Sequence, residues 1–316
     1  ARLHIGTLDS FTVGVVRSFP LELGLGLGLE LMDNEGSEAL AARAEVLTRL
    51  FTSGSAGEAG RREFMDAVKA ATFGREEKGL AANLDRFLTD FRASYRAAPA
   101  ARAWGDEAVI WPDGRRWPAP TGDAPAAADA LRAQLAASGW PADLRASAER
   151  FADFAGGHTE LTAWSDAVMK SAFAQRVLES AADLDAGRFE LTYRKKPHAL
   201  DPAGARSLSA LLRHLLGTEI NRSLRETRGL YQVLHHFERL YDAQVRRHGR
   251  LTFEDVQYLL TRSHDAAGCV LSRSAGDPAR LYIDYRLDSR LDHWLLDEFQ
   301  DTSDLQWETL RNLVDE

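Results

Sequence analysis

The sequence predicts a mainly α-helical chain whose two ends carry pieces of a parallel α/β layer. Three observations carry this expectation. Apolar residues recur at helical spacing through most of residues 37–250. Leu3-His-Ile5 runs into Gly6, Thr7 and a periodic segment, as the tail of a strand does when it feeds a helix. Near the other end, Trp294-Leu-Leu296 is a short apolar run that stops at two adjacent acids, Asp297 and Glu298. Such a run reads as a buried parallel strand with its carboxyl end at a site.

The bounds are those of a globular protein. The chain has 316 residues, 45% apolar and 27% charged, enough for two domains and a sizeable core. Its formal charge of -8 means that any contact with nucleic acid must come from local basic patches. The one cysteine, Cys269, excludes an intramolecular disulfide and fits a reducing compartment. No stretch of about 18 apolar residues is present, so no membrane partner is expected. Nor does Ala1 to Gly6 have the basic start and apolar core of a signal peptide. Only five of the 39 basic residues are lysine, a composition typical of GC-rich bacteria.

In chain order, Thr7 is a candidate N-cap for a helix carrying Leu8, Phe11, Val15, Val16 and Phe19, which Pro20 ends. Leu21 to Leu29 alternates leucine and glycine; lacking a following Gly-Lys-Ser/Thr, it is no phosphate loop and reads as an irregular connection. Ser37 opens a helix through Leu50, and Arg62 to Ala71 and Lys78 to Tyr95 follow as amphipathic segments around a break at Gly54 to Gly60. Val109 to Trp117, with Asp113-Gly114 inside it, predicts a small hairpin. Helices are expected over 124–138, 143–154, 160–168 and 170–185, then a short strand at Phe189 to Tyr193. Residues 206–248 predict one or two long helices. Thr252 and Asp255 stand at the spacing of a capping box.

Charge is segregated along the chain. Residues 206–250 hold nine Arg against four Asp/Glu, a net of +5; residues 290–316 hold two Arg against eight acids, a net of -6. The basic run, with the cluster Arg194, Lys195 and Lys196, is either a phosphate-contacting surface or a solvated helix face.

The acids at the C-terminal end have chemistry that suits nucleotide hydrolysis. One carboxylate at a strand end holds Mg²⁺ through water, and a second beside it deprotonates an attacking water. Asp297-Glu298-Phe299-Gln300-Asp301-Thr302-Ser303, with Gln306 following, resembles motif II of the UvrD/Rep-type superfamily 1 DNA helicases. The lead-in Leu287 to Leu296 is similar to the RecB/AddA-like, exonuclease V beta-type branch. Ile5-Gly-Thr-Leu-Asp-Ser-Phe11 resembles the family's Thr-(Leu/Ile)-His-Ser/Gly-Phe motif on the single-stranded DNA face, with Asp9 where histidine is common.

The resemblance implies residues 1–20 and 251–316 as part of a RecA-like (P-loop NTPase) domain 1A, and 21–250 as an inserted helical 1B-like subdomain. It implies Asp297 and Glu298 as catalytic, Asp297 also on Mg²⁺, and Gln300 and Asp301 at the nucleotide. On the DNA side it implies Thr7, Ser10 and Phe11. Arg194, Lys195, Lys196, Arg246 and Arg247 are the candidate phosphate contacts from charge. It further implies ATP, a single-stranded track and duplex ahead of the fork, 3′→5′ movement, a second helicase-nuclease subunit as partner, a bacterial cytoplasmic location and exonuclease-linked repair and recombination. The family's Walker A loop is absent and the chain ends before its later motifs, so the expectation is a segment of a larger motor that holds no nucleotide tightly by itself. Two other classes stay open: a stand-alone or degenerate helical module binding DNA or a partner without ATPase activity, and an unrelated metal-dependent hydrolase using Asp297, Glu298 and Asp301 with His293.

Overall fold

The computed structural model describes residues 6–26, 28–52, 57–72, 80–114 and 123–262, together with Leu295, Asp297, Thr302, Gln306 and Trp307. The expected strands at Leu3 to Ile5 and Trp294 to Leu296, and Glu298, Gln300, Asp301 and His293, lie outside the described residues. Leu295 is 99% exposed and in no strand, against the expectation of a buried one. A strand is buried by a paired neighbour, and among the described residues none flanks Leu295.

The chain forms two compact units. The first comprises residues 1–66, 76–99 and 232–316; the second, 67–75 and 100–231. Residues 21–66, 76–99 and 232–250, expected in the insertion, thus cluster with the chain ends.

In the first unit, helix α1 (Leu8–Ser18) is capped by Thr7, whose side chain accepts from the Ser10 N–H. Strand β1 (Glu30–Met32) follows the leucine-glycine run and pairs in parallel with β4 (Arg250–Thr252), Glu30 facing Arg250. The leucine-glycine run itself is an irregular connection, as expected, over its described residues; the three-residue strand that follows is set by its distant partner, which local composition hides. Gly26 donates to Arg247 O and Glu30 to Gly249 O, closing the approach. Helices α2 (Ser37–Thr52), α3 (Glu58–Thr72) and α4 (Leu80–Ala97) follow, residues 67–72 of α3 belonging to the second unit. On α2, Ala39, Ala42, Val46, Leu47 and Leu50 bury one face at helical spacing.

Helix α12 (Phe253–Arg262) begins on the expected capping box: Asp255 N–H donates to the Thr252 hydroxyl, and Thr252 N–H donates to the Asp255 carboxylate. Its apolar face packs Val256, Leu259 and Leu260 against Val13 and Val16 of α1 and against Phe19, which caps the end of α1. Burying each such side chain stabilises by about 1.5–3 kcal/mol, more than any cap.

The second unit contains α5 (Glu107–Ile110), α6 (Ala124–Ala137), α7 (Ala142–Gly156), α8 (Asp166–Met169), α9 (Ala172–Glu179) and α10 (Ala181–Asp185). Of the hairpin expected over 109–117, Val109 and Ile110 are instead in helix α5, because Asp106 caps the turn through Ala108 N–H at 2.9 Å; the expected turn forms, Gly114 N–H donating to Trp111 O, and residues 115–117 lie outside the described residues. The helix expected at 160–168 shrinks to α8, since Thr159 and Thr162 bond each other and hold a turn. Leu131, Leu135, Phe151, Phe173, Leu211 and Leu215 centre this unit's core. Strands β2 (Phe189–Tyr193) and β3 (Lys196–Leu200) form an antiparallel hairpin. Helix α11 (Pro202–Gln244) is a single 43-residue run that contributes residues to both units.

Candidate functional site

Thr7 and Ser10 are exposed at the start of α1, and the Ser10 hydroxyl donates to Thr7 O at 2.8 Å. Phe11 is half-buried and packs onto the α1–α12 core, so its ring is largely committed to the fold. Between them Asp9 accepts from the Gln306 side-chain amide at 3.1 Å. Asp297 is exposed. The structure therefore brings Asp9 of the N-terminal motif to Gln306. Among the described residues no group of three His, Cys, Asp or Glu side chains is placed to hold a metal.

The basic candidates divide. Arg194 and Lys195 form the two-residue turn between β2 and β3, both with positive φ, 49° and 64°. Such a turn ordinarily takes Asn-Gly. Arg194 reaches Asp143 at 2.6 Å, and the Tyr193 hydroxyl donates to the same carboxylate, holding it below its usual pKa range. Lys195 and Lys196 are exposed.

Arg246 is 1% exposed. Its guanidinium donates to Glu238, and to Asp255 at 3.0 Å, so it faces the interior and not a phosphate. The physical reason is local: the short 3-10 turn after α11, Arg246–His248, folds its first residue back under the helix end. Arg247 points outward, 67% exposed, 3.2 Å from Asp242.

Arg246 belongs to a buried charge network that the sequence did not reveal. Arg92 and Arg96 of α4 join it: Arg92 pairs with Glu238, and Arg96 with Asp255 at 2.5 Å. Asp255 also accepts from the Tyr241 hydroxyl at 3.0 Å. Arg92 lies over the Tyr241 ring at 4.4 Å and Arg96 over Tyr258 at 4.7 Å. Burial alone would raise the pKa of Glu238; Arg246, Arg92 and Arg96 outweigh it and hold the group at about 2. The same balance holds Asp255 far below the carboxylate range. Burial, then Asp255, pushes Tyr241 up to about 12. One signal was present in the sequence: Glu238 sits inside the apolar stripe Leu234, Phe237, Tyr241, Val245, where a carboxylate needs a cation.

The described residues form a mainly helical chain with one parallel strand pair, Glu30–Met32 with Arg250–Thr252, and a capped first helix whose Asp9 meets Gln306. The family model described as the UvrD/REP helicase N-terminal domain matches residues 127–316, and the chain belongs to that family. Neither the curated proteins nor the solved structures give a match. The family is one of ATP-dependent DNA helicases, so DNA and Mg-ATP are the ligands that membership implies.

Proposed function

We propose that these 316 residues are the motif II segment of an ATP-dependent DNA helicase of the helicase-nuclease type, moving 3′→5′ in double-strand break repair. Residues 1–20 and 251–316 would be part of its domain 1A, and 21–250 its inserted 1B subdomain. The observation that carries the helicase part of the proposal is the family match, whose span includes Asp297 to Gln306; the helicase-nuclease type, direction and repair role rest on the resemblance of Leu287 to Leu296. The hydrogen bond between Asp9 and Gln306 supports it by linking the two motifs.

In this reading Asp297 would hold Mg²⁺, by way of water. An exposed carboxylate suits an ion that keeps several of its waters and takes few protein ligands. The bound ion supplies neutralisation of phosphate charge. Glu298 would take a proton from the attacking water, and Gln300 and Asp301 would help to hold the nucleotide. Thr7 and Ser10 donate to the single-stranded track, with Phe11 behind them, while Arg194, Lys195, Lys196 and Arg247 meet phosphates.

The test is Glu298→Gln in the full-length protein. It preserves size and hydrogen bonding but removes the base. ATP turnover should fall by about 10²–10⁴-fold while ATP binding survives. Near-normal turnover would contradict the assignment.

A further inference from the structure

We propose that His235 and His236, neighbours on α11, form an acid-sensitive clip that holds α3 and α4 while both imidazoles are neutral and slackens when they take up protons. His235 serves α4: its Nδ1 stands 2.9 Å from the Tyr95 hydroxyl, and the two ring centroids are 6.3 Å apart. His236 serves α3: its ring meets Phe64 edge to face, with centroids 6.2 Å apart. Successive residues on a helix point about 100° apart, so one dipeptide can reach two different helices. Phe64 is fully buried and Tyr95 nearly so, and all these groups belong to the first unit. The histidines themselves are half-buried, packed enough to feel the core and open enough to exchange protons with solvent.

The surroundings oppose charge on both rings. Burial is the largest effect on each and pushes both pKa values down. From α11 itself Arg239 adds to it at both, and a charge on His236, whose ring lies 6.4 Å from that of His235, adds to it at His235. From α3 Glu63 favours a proton on His236, but burial outweighs it. From α4 the facing group is the Tyr95 hydroxyl. A neutral imidazole can accept that hydroxyl's proton at Nδ1. An imidazolium carries a proton on both nitrogens, so the hydroxyl must turn, and a half-buried cation is left beside Arg239. A histidine held below its ordinary value contributes stability that is complete above 6.5 and lost as pH falls toward the folded value. The buried carboxylates of the Arg246 network respond only below about pH 4.5, so the two acid effects separate.

The experiment is hydrogen exchange of the full-length protein at about pH 7.5 and about pH 5.5, with the intrinsic dependence of exchange on pH divided out. Protection in Glu58 to Asp66 of α3 and in α4 should fall by on the order of tenfold, the effect of one proton taken up over one pH unit below the ordinary histidine value. His235→Gln keeps an acceptor for Tyr95 without a titrating ring and should abolish the loss in α4 alone. His236→Phe keeps an edge-on ring against Phe64 and should abolish it in α3 alone. Arg239→Gln, at an exposed position, leaves both contacts in place and should make the acid loss smaller, because it removes a cation that resists protonation. A merely structural pair would instead lose protection equally at both pH values in the histidine variants, which overturns the proposal. Equal wild-type protection at the two pH values would overturn it too. So would an acid loss that survives unchanged in His235→Gln/His236→Phe or, should that double variant fail to fold, in Arg239→Gln.

Discussion

Glu238 shows how one residue ties a helix to its surroundings. Its ordinary pKa of 4.5 falls to about 2 in the fold, because three guanidinium groups outweigh the cost of burial. A depressed carboxylate contributes stability that is complete above the unfolded value and lost as pH falls through the folded one. The window is therefore from about pH 4.5 down to about 2. Asp255, shifted in the same direction, extends the loss further toward acid. Urea unfolding should show stability declining across this window, and Glu238→Gln should flatten the decline. Arg246→Met removes the shared cation and leaves both carboxylates buried; breaking such a pair costs about 3–5 kcal/mol near neutral pH. A loss under about 1 kcal/mol would mean that Arg92 and Arg96 suffice. The network was illegible in the sequence because α4 and α11 meet across long separations, Arg92 and Glu238 lying 146 residues apart. The resemblance of residues 297–306 to motif II, by contrast, could be read at all because those residues are contiguous.

At the scale of elements, what the sequence disclosed follows what is local. Helix α11, the β2 strand and the α12 capping box each rest on periodicity or a three-residue spacing, and each forms. Strand β1 rests on residues more than 200 positions away, and α5 on one cap, with the turn that Asp113-Gly114 signalled forming just after it. The β1–β4 pairing gives a sharp prediction. Gly249 has φ +79°, and a Cβ there would lie 1.7 Å from Gly28 O, a backbone atom that cannot step aside. Gly24 has φ +70° with nothing within 4 Å of the same added atom. Gly24→Ala should therefore cost only the left-handed strain, about 1–2 kcal/mol. Gly249→Ala should cost distinctly more and release amide protection at Glu30, which donates to Gly249 O. Hydrogen exchange and melting of the two variants side by side measure the difference; equal losses would mean that the pairing tolerates separation.

Across the whole molecule, charge is arranged differently from what the linear sequence implied. Seven of the nine arginines in residues 206–250 stand in ion pairs: Arg213 with Asp185, Arg222 with Glu219, Arg225 with Glu160, Arg228 with Glu107, Arg246 with Glu238, Arg247 with Asp242 and Arg250 with Glu30. The local excess of +5 is thus largely balanced by acids from elsewhere in the chain. The β2–β3 turn differs. Lys195 and Lys196 have no ion-pair partner among the described residues, and the turn keeps two basic residues at positive φ where Asn-Gly would relieve strain. Strain retained at an exposed turn points to a use for those side chains. Lys195→Glu/Lys196→Glu should therefore weaken binding to duplex DNA of any sequence at low salt, with melting unchanged. The log–log salt slope should become shallower by about 0.9 for each phosphate that the variant no longer neutralises. Arg247→Glu should act more weakly, since Asp242 already opposes that charge. Replacing Arg194-Lys195 by Asn-Gly separates the two properties of the turn. Removing the strain should raise stability while affinity falls, because the basic side chains are what the turn presents. If affinity survives both the reversal and the Asn-Gly turn, the hairpin is structural and the phosphates are met elsewhere, with the hydroxyls of Thr7 and Ser10 the next surface to test.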